Sequence, residues 1–137
     1  MTQQPPDPYA DLTGPATPPI EGLDTARLDV LRDLDPGDTT YLDRAIDNFE
    51  ANSSAAMAAL HEHVAADDAA AFRAVVHKIA GSALNLGAQD AGALARETEV
   101  VVERDGLAAA AALLPRLEPE MARARELLRR YQATYRA

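Results

Sequence analysis

The sequence predicts an all-α fold, an antiparallel four-helix bundle with an additional short helix at its N-terminal end. Three observations lead there. Ala, Leu and Val supply most of an apolar content of 47%, while aromatic residues make up only 4%. Such side chains fill the narrow space between close helices, and Ala and Leu are the strongest helix formers. Apolar residues recur at steps of three and four along four long segments, whereas strand-like alternation is missing.

Residues 1–22 hold six of the nine prolines and lack a hydrophobic period, so they read as a disordered or loosely packed tail. The folded part, 23–137, begins near Leu23. Asp24 or Thr25 caps a short helix carrying Leu28, Leu31 and Leu34, and Asp35-Pro36-Gly37-Asp38 stops it. Asp38 or Thr39 caps a second helix that runs to about residue 65. Its stripe is Leu42, Ile46, Phe49, Ala56, Leu60 and Val64, with Ser53 in the middle and a weak point at Asn52-Ser53-Ser54. A third helix opens at Asp67-Asp68 and carries Phe72, Val76, Ile79, Ala83 and Leu86 inward. Gly87 ends it in a left-handed turn. A fourth runs from about Gln89 to Glu103 with Ala91, Leu94, Ala95, Thr98, Val101 and Val102 inward, and closes at Arg104-Asp105-Gly106. The last covers roughly 107–134, bent or briefly interrupted by Pro115 and Pro119, each of which lacks a backbone donor.

At 137 residues the chain fits one domain. It has no cysteine, which excludes disulfides, thiolate metal sites and a cysteine nucleophile. A net charge of −9 opposes binding to nucleic acid. No apolar run reaches the roughly 18 residues that span a bilayer, and the polar, proline-rich start is unlike a signal peptide. These features predict a soluble cytoplasmic protein with no membrane or nucleic-acid partner, and a four-helix core sufficient for a monomer.

One side chain stands apart. His77 lies about 140 degrees from the centre of its helix's apolar stripe and should face solvent. Gly81 follows one turn later on nearly the same face, flanked by the small side chains of Ala74 and Ala80. A glycine inside a helix costs about 1 kcal/mol relative to alanine. Here it would clear bulk from beside the imidazole and let another macromolecule approach. Residues 71–88 contain Arg73 and Lys78 and no acid, a reversal of sign in an acidic chain. Arg73, four residues before His77, reaches its face, and Lys78 points about 100 degrees away on a long stem. Either cation would attract a phosphoryl oxygen.

No carboxylate stands at i±3 or i±4 from His77, and nucleotide loops, serine nucleophiles and paired metal ligands are missing, so hydrolysis is a poor fit. His61 and His63 lie two residues apart and point in different directions, which argues against a metal site. What remains is an imidazole, which in the free side chain titrates near pH 6.5, leaving one nitrogen able to attack phosphorus. The residues alone leave two readings open: a phosphoryl carrier, or a solvent-facing histidine on a scaffold bundle.

The segment His77-Lys78-Ile79-Ala80-Gly81-Ser82-Ala83-Leu84-Asn85-Leu86-Gly87-Ala88 resembles the signature of histidine-containing phosphotransfer (HPt) domains. The likeness extends over about 23–134 and includes the leucines near 28–34, the Asp35-Pro36-Gly37-Asp38 turn, the helix with Phe49, and Ala95-Arg96-Glu97-Thr98-Glu99. That family carries phosphate between receiver-domain aspartates in multistep phosphorelays. The resemblance implies that 23–137 is a phosphotransfer bundle, that His77 accepts the phosphoryl group, usually on Nε2, and that Gly81 provides clearance. It implies that Gln89 hydrogen-bonds near the imidazole. The partners it implies are response-regulator receiver domains and a hybrid sensor histidine kinase. Mg2+ is expected in the receiver, and no cofactor, metal or autonomous kinase or phosphatase activity in this chain. Docking would centre on Ala74, Ala80, Gly81 and Asn85. The sequence departs from the family at residue 80, where the common lysine is Ala80. That departure leaves a receiver-binding adaptor with weak transfer as the alternative, and makes Arg73 and Lys78 the candidates to replace the missing charge.

Overall fold

The computed structural model describes residues 16–136, and every regular element among them is helical. The short α1 (Thr25–Arg32) precedes α2 (Thr40–Ala65), α3 (Ala69–Asn85), α4 (Gln89–Asp105), α5 (Leu107–Ala111) and α6 (Leu114–Ala133). Helix α2 packs on α3 and α6, and α4 packs on the same two, which closes the four long helices into a bundle. Cross-helix pairs give their directions. Asp43 meets Gln132 and Ser53 meets Arg125, so α2 and α6 are antiparallel. Leu84 meets Gly92 and His77 meets Glu99, so α3 and α4 are antiparallel as well.

The helix ends follow the local chemistry of the sequence. Asp24 accepts the Arg27 N–H (3.0 Å) and Asp68 the Ala71 N–H (3.0 Å), so both cap their helices. Asp38 takes the Thr40 N–H (2.9 Å) ahead of α2, while Thr39 turns its hydroxyl to Asp43 instead of capping. Gly87 has φ +72, and a Cβ there would stand 2.9 Å from the Asp24 carbonyl oxygen. The α3–α4 turn is therefore both left-handed and pressed against the start of α1, and the Asp24 N–H donates to the Gly87 carbonyl (2.9 Å).

Two expected weak points resolve differently. Helix α2 is continuous through Asn52-Ser53-Ser54. Both serine hydroxyls donate back to the Glu50 carbonyl, and buried Ser53 also accepts from Arg125 (2.9 Å). The last helix does break, between Ala111 and Leu114, with Pro115 in the first turn of α6 where its missing donor costs nothing. Pro119 is absorbed inside α6. Leu34 lies beyond the end of α1 and is exposed, outside the stripe its spacing implied.

The core runs the length of the bundle and includes Leu42, Ile46, Phe72, Val76, Leu117, Met121 and Leu128. Part of the expected tail is packed against it. Ile20 lies against the core, and the Thr17 N–H and hydroxyl donate to Asp29 (2.9 and 2.6 Å). The Tyr131 hydroxyl donates to the same carboxylate (2.6 Å), so α1, α6 and residues 17–20 are tied at one end. Residues 1–15 of that tail lie outside the described residues. No helix among the described residues is long and apolar enough to cross a membrane.

Candidate functional site

His77 sits in the middle of α3 with its side chain 61% exposed. The core-facing residues of α3 fix this orientation: burying Phe72, Val76, Ile79 and Ala83 rotates His77 outward, on the side toward α4. Ala74 is exposed and Gly81 half-buried on the same face, one turn to either side. Leu84, 40% exposed, continues that face and rests over Gly92 of α4.

Three glycines show different reasons for lacking a side chain. Gly87 needs its positive φ. Gly92 is needed for packing, since a Cβ there would come within 2.5 Å of Leu84. Gly81 is required by neither constraint: the nearest atom a Cβ would meet is Arg96 Nη2 at 3.9 Å, an ordinary contact. The domain therefore forgoes about 1 kcal/mol of helix propensity at a position where its own fold accepts alanine.

The imidazole has a carboxylate partner, and it comes from α4. Glu99 Oε2 lies 2.6 Å from His77 Nδ1. Burial on its own pushes the Glu99 carboxyl up, but the hydrogen bonds from His77 and Arg96 outweigh it and hold the group below the usual carboxylate range. An ionised carboxylate only accepts, so Nδ1 carries the proton and donates to Glu99. In the neutral ring Nε2, the other nitrogen, then keeps its lone pair. Arg96 Nη1 donates to Glu99 Oε1 (3.0 Å) and stands 3.2 Å from Nδ1. Because that nitrogen is already a donor, the guanidinium is held there by the carboxylate and not by the ring.

The sequence-derived residues fall into three groups. His77 and Ala74 are exposed on one face, with Gly81 half-buried beside them. Arg73 reaches the same side, but its Nε is committed to Glu103, and its Nη2 lies 3.9 Å from Glu99 Oε2. Lys78 lines the groove between α2 and α3 beside Asn52 and Ala56, away from α4. Two expectations need correction, and Asn85 carries a constraint of its own. Ala80 is fully buried, because three residues on from His77 turns its Cβ about 60 degrees toward α4, so it offers nothing to a docking partner. Gln89 stands in the first turn of α4, about 15 Å along the helix from Glu99, so the residue that meets the imidazole is Glu99 instead. Asn85 is exposed but tied to Arg27, which donates to its side chain (2.7 Å) and its carbonyl (3.1 Å).

Arg96 and Glu99 were absent from the sequence-derived site, although a signal for them existed. In an antiparallel hairpin centred on Gly87-Ala88, counting equal distances either side carries His77 to Thr98, between Glu99 and Arg96. Glu99 also follows Ala95 by one turn, at the edge of the inward stripe, an unusual place for an acid unless something there donates to it. His61 is exposed and meets Glu118 (3.3 Å), and His63 is half-buried. Among the described residues no group of His, Cys, Asp or Glu is arranged to hold a metal ion.

A family model described as Hpt domain matches residues 44–128, more than half of the chain and the stretch that contains the whole site. No curated protein and no solved structure matches the chain.

Proposed function

This chain belongs to the Hpt domain family, and on that premise we propose that it is a phosphorelay carrier that accepts a phosphoryl group on His77 Nε2 from a receiver-domain aspartate and passes it to another receiver. The observation that carries the reading is the Nδ1–H···Glu99 hydrogen bond (2.6 Å) on an otherwise open ring. It fixes the tautomer, holds the ring plane and points the basic nitrogen outward.

The step needs no base of its own. The Nε2 lone pair forms the N–P bond while the bond from phosphorus to the aspartyl oxygen breaks, and the aspartate leaves as a carboxylate. The Nδ1 proton stays in place, and the positive charge that develops on the ring faces an ionised Glu99. Reversal follows the same path: an incoming aspartate carboxylate attacks phosphorus, and the electron pair returns to Nε2. The receiver supplies the Mg2+ and the in-line geometry. Glu99 is a positioning residue, since it acts through the imidazole and does not touch phosphorus.

The docking face comprises Ala74, Gly81, Leu84 and Asn85 around the histidine. Small side chains bring the helix close to the partner, and Leu84 gives an exposed apolar contact near the centre. Receiver domains and a hybrid sensor kinase are the partners this reading requires, and no ATP-dependent autophosphorylation is expected of the chain.

The test is a time course of phosphoryl transfer from receiver domains charged with acetyl phosphate, with H77Q as control. The proposal expects acid-labile phosphate on the wild type and none on H77Q. Receiver binding without such phosphate would favour the adaptor role that Ala80 leaves open, and normal labelling of H77Q would move the site elsewhere.

A further inference from the structure

The carrier reading leaves one chemical requirement unmet. A phosphoryl group on Nε2 brings two negative charges to a face whose existing charges are already matched, Arg73 against Glu103 and Arg96 against Glu99. The lysine that the family signature would supply is replaced by buried Ala80. Arg73 is engaged by Glu103, and Lys78 lies on the α2 side of the helix.

Arg96 is different in three respects. It stands at the ring, with Nη1 3.2 Å from Nδ1. It has spare donors: only Nη1 is hydrogen-bonded, so Nη2 and Nε have no partner among the described residues. Those donors border the cleared space, since Nη2 lies 3.9 Å from where a Gly81 Cβ would be. The side chain is 40% exposed, so it is not packed into one position.

We propose that Arg96 is the phosphoryl-binding cation of this site, its guanidinium turning from Glu99 Oε1 to the phosphoryl oxygens once Nε2 carries the group. This rests on the carrier reading. The exchange leaves Glu99 accompanied, because the Nδ1–H still donates to Oε2 and Arg73 Nη2 lies 3.9 Å away. A guanidinium suits the task because it presents two parallel N–H donors to two oxygens. The missing charge is thus delivered from α4 across the hairpin, not from the histidine's own helix.

The experiment uses potassium phosphoramidate, a small donor that needs no docking partner. Nε2 attacks phosphorus and ammonia leaves. Labelling rates of the full chain, R96A and R96K are compared, and the guanidinium resonances of Arg96 are followed by NMR before and after phosphorylation. The expected result is a fall on the order of tenfold in R96A, partial recovery in R96K, and a shift of the Arg96 resonances in phosphorylated wild type. A purely structural role through Glu99 would leave those resonances where they are. Equal rates in wild type and R96A with unmoved resonances would overturn the proposal and leave the carrier reading intact. No phosphohistidine on the wild type, with R96A alike, would overturn both.

Discussion

Replacing Gly81 with alanine should make this domain more stable and a poorer relay partner. The position is inside α3, with no positive φ and no atom closer than 3.9 Å to an added Cβ. The folded state loses nothing, while the helix gains about 1 kcal/mol of propensity and the unfolded chain loses freedom. For a domain of this size the gain corresponds to a rise of about 4 °C in Tm. The same methyl stands one turn from His77, in the space a receiver must enter. An extra methyl in a closely packed interface costs roughly 1–3 kcal/mol, so transfer from a phospho-receiver should slow on the order of tenfold. Labelling by phosphoramidate, which requires no docking, should change far less. Urea unfolding gives the first quantity and timed transfer the second. A less stable G81A would show that the glycine serves the fold. A stabilised G81A with unchanged receiver transfer would refute the idea that it serves a partner.

Three other outcomes follow from the geometry. E99Q keeps the shape of the side chain but removes the charge facing the ring, so transfer should slow several-fold with less than about 1 kcal/mol lost in urea unfolding; a wild-type rate would deny Glu99 its positioning role. At Asp43, burial raises the carboxyl, but donors from Gln132, Tyr135 and Thr39 outweigh it and hold the group below its ordinary range. A depressed native value means the unfolded chain binds the proton more readily, so this contribution is present above pH 4 or so and drains away as pH falls further. D43N should therefore be less stable at pH 7 and show a shallower acid loss, measured by urea titration across pH 2–7; parallel curves would contradict this. G87A combines φ +72 with a 2.9 Å approach to the Asp24 carbonyl oxygen and should cost about 2–4 kcal/mol in the same assay, opposite in sign to G81A.

Much of this molecule is legible in its amino-acid order because its elements are set by local signals. Asp24, Asp68 and Gly87 mark helix ends that hold within a residue or two, and the stripe on α3 correctly turns His77 outward. The site is less legible because half of it comes from another helix. No acid stands within one turn of His77 in the sequence, yet Glu99 is 2.6 Å from its ring. Closeness in sequence favours cations that distance in space removes: Arg73 is engaged by Glu103 and Lys78 faces α2, whereas Arg96, nineteen residues from His77, stands 3.2 Å from its ring. Ala80 illustrates a second limit. A small residue near the histidine looks like open surface until the helix rotation and the closeness of α4 are known.

The central claim is that Glu99 holds the Nδ1 proton of an exposed histidine, so that phosphorus is taken on the opposite nitrogen. A long-range 1H–15N spectrum of the His77 ring, recorded before and after charging by a phospho-receiver, tests it most directly. The account predicts a protonated Nδ1 in the free protein and 31P coupling to Nε2 afterwards. Coupling to Nδ1, or a free ring protonated on Nε2 alone, would contradict it.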